Sequence, residues 1–140
     1  MVYTLDRVWA AERLFGIRLS FYEGMDYMVI DRIGAGIQTG ERPVFAPSGR
    51  YFASAFIDHA GGNGGWVRLW PVGSDLPVRA VVTGNGEPAD LVWHGETCLS
   101  FKVTGGGPLG GRSTDDTRNW YLVAAVPEWR LTERRPAGCR

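Results

Sequence analysis

Between Val44 and Trp70 the chain reads as strand, tight turn, strand, Gly-rich loop, strand, and a weaker copy follows. Val44–Arg50 leads into Tyr51–Ile57, and Trp66-Val67-Arg68-Leu69-Trp70 resumes after Asp58–Gly65. The copy runs through Leu91–Thr97 and Cys98–Val103 to a last strand at Trp120–Val126. In the two copies Phe45-Ala46-Pro47-Ser48-Gly49 aligns with Val92-Trp93-His94-Gly95, and Trp66–Trp70 with Asn119–Val123. Strand modules repeated at such a distance are the mark of arrays whose units bury their apolar faces against each other.

The rest of the chain from Gly16 carries the same period. Ile17, Leu19 and Phe21 alternate with Arg18 and Ser20, which is the pattern of a half-buried strand. Glu23–Asp26 reads as a hairpin turn with Tyr27–Ile33 as its return, and a short strand is expected near Ile37–Thr39. Pro43 and Pro47 confine Val44-Phe45 to a short strand. Val78–Thr83, Ala89–Trp93 and Trp129–Thr132 complete about ten strands. The exception is residues 4–15, where Leu5, Val8, Trp9 and Glu12 to Phe15 recur every three to four residues. That spacing predicts a short N-terminal helix capped by Thr4 and stopped by Gly16, with a strand as the alternative. Glu133–Arg140 reads as a frayed tail. The fold expected is one all-β domain, an antiparallel meander of propeller-blade-like repeats.

The 140 residues carry as many Lys and Arg as Asp and Glu. A formal charge of zero leaves no electrostatic case for nucleic acid or an acidic membrane surface. No segment has the run of about 18 apolar residues that spans a bilayer, and the N-terminus shows no signal-peptide pattern. Cys98 and Cys139 are able to pair, but two cysteines alone do not settle the redox compartment.

The segment Phe45-Ala46-Pro47-Ser48-Gly49-Arg50 resembles the blade motif of WD-type and TolB-like propellers, with Ala46 and Ser48 in place of the usual serine and aspartate. Trp70-Pro71 stands where a WD blade would end in Trp-Asp. Tyr22–Tyr27, Pro47–Ser54, Val67–Trp70 and Trp129–Leu131 also resemble stretches of exported bacterial β-rich proteins to which no activity is assigned. The resemblance implies a periplasmic or secreted setting and supplies no catalytic residues. A propeller ring needs at least about four blades. Two or three blades therefore imply a curved sheet or small sandwich, or a ring completed by several copies.

Candidate sites are few. Trp66, Arg68 and Trp70 alternate with Val67 and Leu69, so the three project from one face of a strand. Trp and Arg dominate binding hot spots, so this face is either a recognition surface or an interlayer. Asp58, His59 and Asn63 lie at a strand end in a Gly-rich loop and suit a polar binding site, or an Asp58–His59 pair in acid–base hydrolysis. His94, Glu96 and Cys98 share a hairpin but fall short of a zinc set or a Cys–His dyad. Gly105–Ser113 lacks the Gly-Lys-Ser/Thr ending of a phosphate loop and reads as a mobile connection. Asp58, Glu87, Asp90, Glu96, Asp115 and Asp116 are available carboxylates that nothing in the sequence pairs across a cleft. No metal and no cofactor is expected. The function expected is a non-enzymatic binding module for a protein, a glycan or further copies of itself, with a hydrolase using Asp58 and His59 as the alternative.

Overall fold

The computed structural model describes residues 1–58, 64–111 and 113–139. Among the described residues twelve strands follow one another, all paired antiparallel, in three four-stranded sheets. The first sheet holds β1 (Val2–Trp9), β2 (Leu14–Phe21), β3 (Gly24–Asp31) and β4 (Gly36–Gln38) in that order. The second holds β5 (Val44–Phe45), β6 (Tyr51–Asp58), β7 (Gly64–Pro71) and β8 (Arg79–Gly84). The third holds β9 (Glu87–Trp93), β10 (Cys98–Thr104), β11 (Thr117–Ala125) and β12 (Glu128–Thr132). Each sheet is a meander of consecutive strands, so the protein is an all-β array of blade-like units. No sheet closes into a ring.

The internal alignment matches equivalent positions. Ala46–Gly49 and His94-Gly95 both join the first strand of a sheet to its second, and Trp66–Trp70 and Asn119–Val123 both lie in the third strand. A third unit stands where a helix is expected. Residues 4–15 form β1, a turn and the start of β2, and the described residues contain no helix. The register shifts between Leu5 and Arg7, where one extra residue enters the strand. Leu5 and Val8 then fall on the same face although three residues apart, which imitates a helical period. Gly16 is no helix stop. It sits inside β2 because the Tyr27 hydroxyl packs where a Cβ would project.

The first turns of the first two sheets share one shape. Arg13 at φ 59° and Gly49 at φ 75° each close the turn, donating N–H to the carbonyls of Ala10 and Ala46. Arginine in this left-handed conformation is strained where glycine is not. Arg13→Gly therefore raises stability by roughly 0.5–1 kcal/mol in urea denaturation; a loss would mean that the arginine side chain contributes more than its backbone costs.

The second sheet is the middle layer. Ala53, Val67, Leu69 and Val81 on one face meet Leu99, Phe101, Val103, Leu122 and Trp129 of the third sheet in the main core. Tyr51 packs edge-on against Trp129, and Trp93 Nε1 donates to the Val44 carbonyl at 2.9 Å. The opposite face carries Phe45 and Phe52 toward the first sheet, where Trp9 meets Phe45 with ring centroids 4.9 Å apart. A smaller cluster of Leu14, Tyr27 and Val29 lies on that side, packed against Trp9, Phe45 and Val72. A sheet apolar on both faces needs two neighbours.

The Gly105–Gly111 loop is docked rather than mobile as expected. Leu109 enters the main core, and Trp120 Nε1 donates to its carbonyl at 2.8 Å. Gly107, at φ 102°, passes so close to Thr83 that a Cβ would lie 2.6 Å from its carbonyl oxygen. The tail expected to fray is likewise tied down. Residues 133–138 form no strand, yet Cys139 is fully buried in a disulfide with Cys98.

Candidate functional site

Asp6 is the centre of a polar cluster that joins β1, β2, β3 and the β4–β5 connection. The register shift in β1 places it beside β2 and β3. There it accepts hydrogen bonds from Tyr27 Oη at 2.7 Å, from Arg42 Nε and Nη2 at 2.7 Å each, and from Arg18 Nη2 at 3.1 Å. The paired bonds from Arg42 hold the Asp6 carboxyl well below its ordinary value, and the Tyr27 hydroxyl adds to this. Burial, with Asp6 second, pushes the Tyr27 hydroxyl up to about 12. Asp6 in turn raises the Arg42 guanidinium. A carboxyl with a depressed folded pKa adds stability that is present above its ordinary value of 3.8 and is lost as pH falls toward the folded value. Stability of the native protein therefore falls more steeply below about pH 4 than that of Asp6→Asn. Parallel unfolding curves for the two from about pH 5 to pH 2 would show that the cluster is not formed in solution.

Arg42 reaches Asp6 because the β4–β5 connection is pinned to both sheets. Ser54 Oγ donates to the Thr39 carbonyl at 2.7 Å, and Thr39 Oγ1 donates to the Glu41 carbonyl at 2.7 Å. Gly40, at φ 75°, donates its N–H to Asp26 Oδ1 at 3.1 Å. A Cβ at Gly40 would collide with the Phe56 ring, so the first sheet approaches β6 as closely as glycine permits.

Beside this cluster lies an open groove of about 550 Å³. Arg18, Met25 and Tyr27 line it from the β2–β3 hairpin, Glu41 and Arg42 from the β4–β5 connection, and Phe56 and Asp58 from the end of β6. Apolar and charged side chains alternate around it. Phe56 continues into Trp66 at 5.4 Å between rings, and the Arg68 guanidinium lies over the Trp66 ring at 4.1 Å. Such stacking orients Arg68 without a carboxylate.

The sequence-expected residues are distributed unevenly about this groove. Asp58 lines it, and Trp66 and Arg68 adjoin it through Phe56. Trp70 does not face a partner. It is 2% exposed, stacked on Phe52 at 5.3 Å and edge-on to Trp66 at 6.4 Å, so its place is in the interlayer. His59 and Asn63 lie outside the described residues. Asp6, Arg18 and Arg42 were not singled out from sequence, because Asp6 and Arg42 are 36 residues apart and belong to no motif.

The hairpin group separates. Cys98 is in the disulfide, and the Glu96 carboxylate accepts hydrogen bonds from Ser48 N and Oγ of the neighbouring sheet. His94 Nε2 lies 2.7 Å from Ser100 Oγ, while its backbone N–H donates to the Cys98 carbonyl. Asp90 pairs loosely with Lys102 at 3.8 Å. Among the described residues no group of three or more His, Cys, Asp or Glu is placed to hold a metal ion, and no helix is long and apolar enough to cross a membrane.

Fold and site together define a class: an all-β protein of three four-stranded blade-like meanders, with a charged groove between the first two. No family model, no curated protein and no solved structure matches the chain.

Proposed function

We propose that this protein is a non-enzymatic binding module whose blade-like sheets present the groove between β3 and β6 to a glycan. The observation that carries the reading is the groove's make-up. Carboxylate acceptors at Asp58 and Glu41 and guanidinium donors at Arg18 and Arg42 alternate with the apolar surfaces of Phe56 and Met25. A sugar presents hydroxyls that both donate and accept, on a ring whose C–H face packs on apolar side chains. The volume of about 550 Å³ lies within the range of small-ligand sites. Arg18 and Arg42 are held in place by Asp6, so their remaining N–H groups are pre-oriented and a ligand bears less of the ordering cost.

The test is a titration of isotopically labelled protein with neutral and amino oligosaccharides, followed by backbone amide NMR. The expected result is saturable shifts at Met25, Arg42, Phe56 and Asp58, weakened about tenfold or more by Asp58→Asn, the loss of a hydrogen bond to a charged acceptor. Shifts confined to other surfaces, or no binding at millimolar sugar, would overturn the reading. A hydrolase acting through Asp58 and His59 is the second reading, favoured by the place of Asp58 on the groove. It predicts turnover of the bound sugar that Asp58→Asn abolishes, whereas a binding module leaves the sugar intact.

A further inference from the structure

The outer face of the third sheet carries a second groove, of about 530 Å³, that the glycan reading does not use. Leu99, Phe101, Val103 and Leu122 point into the main core. Alternation therefore turns Ser100 and Lys102 of β10, with their register partners Tyr121 and Asn119 of β11, to the opposite side. His94 Nε2 lies 2.7 Å from Ser100 Oγ at one end of the groove. At the other, the register shifts in β9 and Asp90 takes φ 56°, which brings its carboxylate to 3.8 Å from Lys102 Nζ. The side chains of this pair are 52% and 67% exposed, so the contact is loose and contributes little.

The second cation of the groove comes from outside the sheet. Cys98 lies on the same face of β10 as Ser100 and Lys102, and its disulfide with Cys139 fastens the segment that follows β12. Arg135 Nε donates to the Cys139 carbonyl at 2.5 Å, and Arg135 lines the groove. That bond uses Nε and leaves the two Nη groups as donors. Among the described lining residues Asp90 is the single carboxylate, against Lys102 and Arg135.

We propose that this groove is a second binding site, for a small molecule carrying a phosphate or carboxylate, in which Lys102 and Arg135 hold the oxyanion and the Cys98–Cys139 bond keeps Arg135 in place. A planar guanidinium offers paired N–H groups to two oxygens of such an anion, and Lys102 adds a point charge. Ser100, Asn119 and Tyr121 supply neutral hydrogen-bonding groups around them. The oxyanion displaces Asp90 from Lys102 at small cost, because that pair is exposed and long. Arg135 is already oriented by its bond to Cys139, so the ligand bears less of the ordering cost. The volume suits a small molecule rather than a polymer. The proposal is independent of the groove at β6, which lies between the other two sheets.

The test is titration of the oxidised full chain with inorganic phosphate and, separately, with citrate, followed by backbone amide NMR. The expected result is saturable shifts at Ser100, Lys102, Asn119 and Tyr121 with none at Met25 or Phe56. Lys102→Ala and Arg135→Ala should each weaken binding about tenfold or more. Arg32→Ala, the same loss of charge in the exposed β3–β4 turn, should leave it unchanged. Dithiothreitol transfers two electrons and two protons to the Cys98–Cys139 bond and becomes a cyclic disulfide. The reduced protein, still folded by circular dichroism, should bind as weakly as Arg135→Ala, with no further loss when the two changes are combined. Saturation by phosphate alone or by citrate alone supports the site and names its oxyanion. No shift on this face at millimolar phosphate and citrate would overturn the proposal. So would equal binding by Lys102→Ala, Arg135→Ala and Arg32→Ala, which would mark an adventitious ion only. Native affinity in the reduced protein would overturn the part assigned to the disulfide.

Discussion

Replacing Cys139 with alanine lowers the free energy of unfolding by about 4 kcal/mol. The bond joins residues 41 apart, with Cα atoms 5.6 Å from each other, and both cysteines are fully buried. A loop of that length, closed in the unfolded chain, removes conformational freedom worth about 4 kcal/mol at 25 °C. The native contacts of the tail add to this: Arg135 Nε donates to the Cys139 carbonyl, and the Cys139 N–H donates to that of Pro136. Without the bond, this short segment has no strand pairing to hold it across the third sheet. The melting temperature should fall by roughly 10–15 °C, since about 1 kcal/mol is worth a few degrees in a domain this size. Urea denaturation of the oxidised native protein beside Cys139→Ala and Cys98→Ala checks the value. Variants within about 0.5 kcal/mol of the native protein would show that the tail is not fastened in solution.

Trp70→Ala costs about 4 kcal/mol and acts on stability before it acts on any ligand. The ring is almost wholly enclosed between Phe52 and Trp66 at the interlayer between the first two sheets. Its removal leaves a cavity that a sheet fixed on its other face by Val67 and Leu69 cannot close. Trp70→Phe keeps the contact with Phe52 and should cost less than half as much. Trp66→Ala, at a half-buried ring, should be milder in stability but should disturb the groove through Phe56 and release Arg68. The measurement is the urea midpoint at constant slope, with oligosaccharide affinity taken below the transition. A Trp70→Ala variant with native stability and lost binding would return this residue to the recognition surface.

Alternation and turn residues in the sequence were enough to place most strands. Tyr51–Ile57, Val78–Thr83 and Cys98–Val103 each lie within one residue or two of the observed boundaries. A strand buried on at least one face must write its period into the chain, and glycine and proline mark where the backbone must turn. The internal repeat was legible for the same reason, because equivalent strands face equivalent layers. Residues 4–15 failed the same test through one inserted residue between Leu5 and Arg7, which turned a period of two into an apparent period of three.

Tertiary structure decided what each face meets. Alternation placed Trp66, Arg68 and Trp70 on one side of β7, but whether that side is covered depends on a neighbouring sheet whose first strand lies some sixty residues earlier in the chain. Trp70 ends buried, stacked on Phe52 and edge-on to Trp66, whereas Trp66 and Arg68 are only partly buried. The union of Asp6 with Arg18, Tyr27 and Arg42, and of Cys98 with Cys139, has the same origin. Local pattern records the periodicity of each strand, whereas long-range partners are set by how whole sheets pack, and a single chain carries no local mark of that choice.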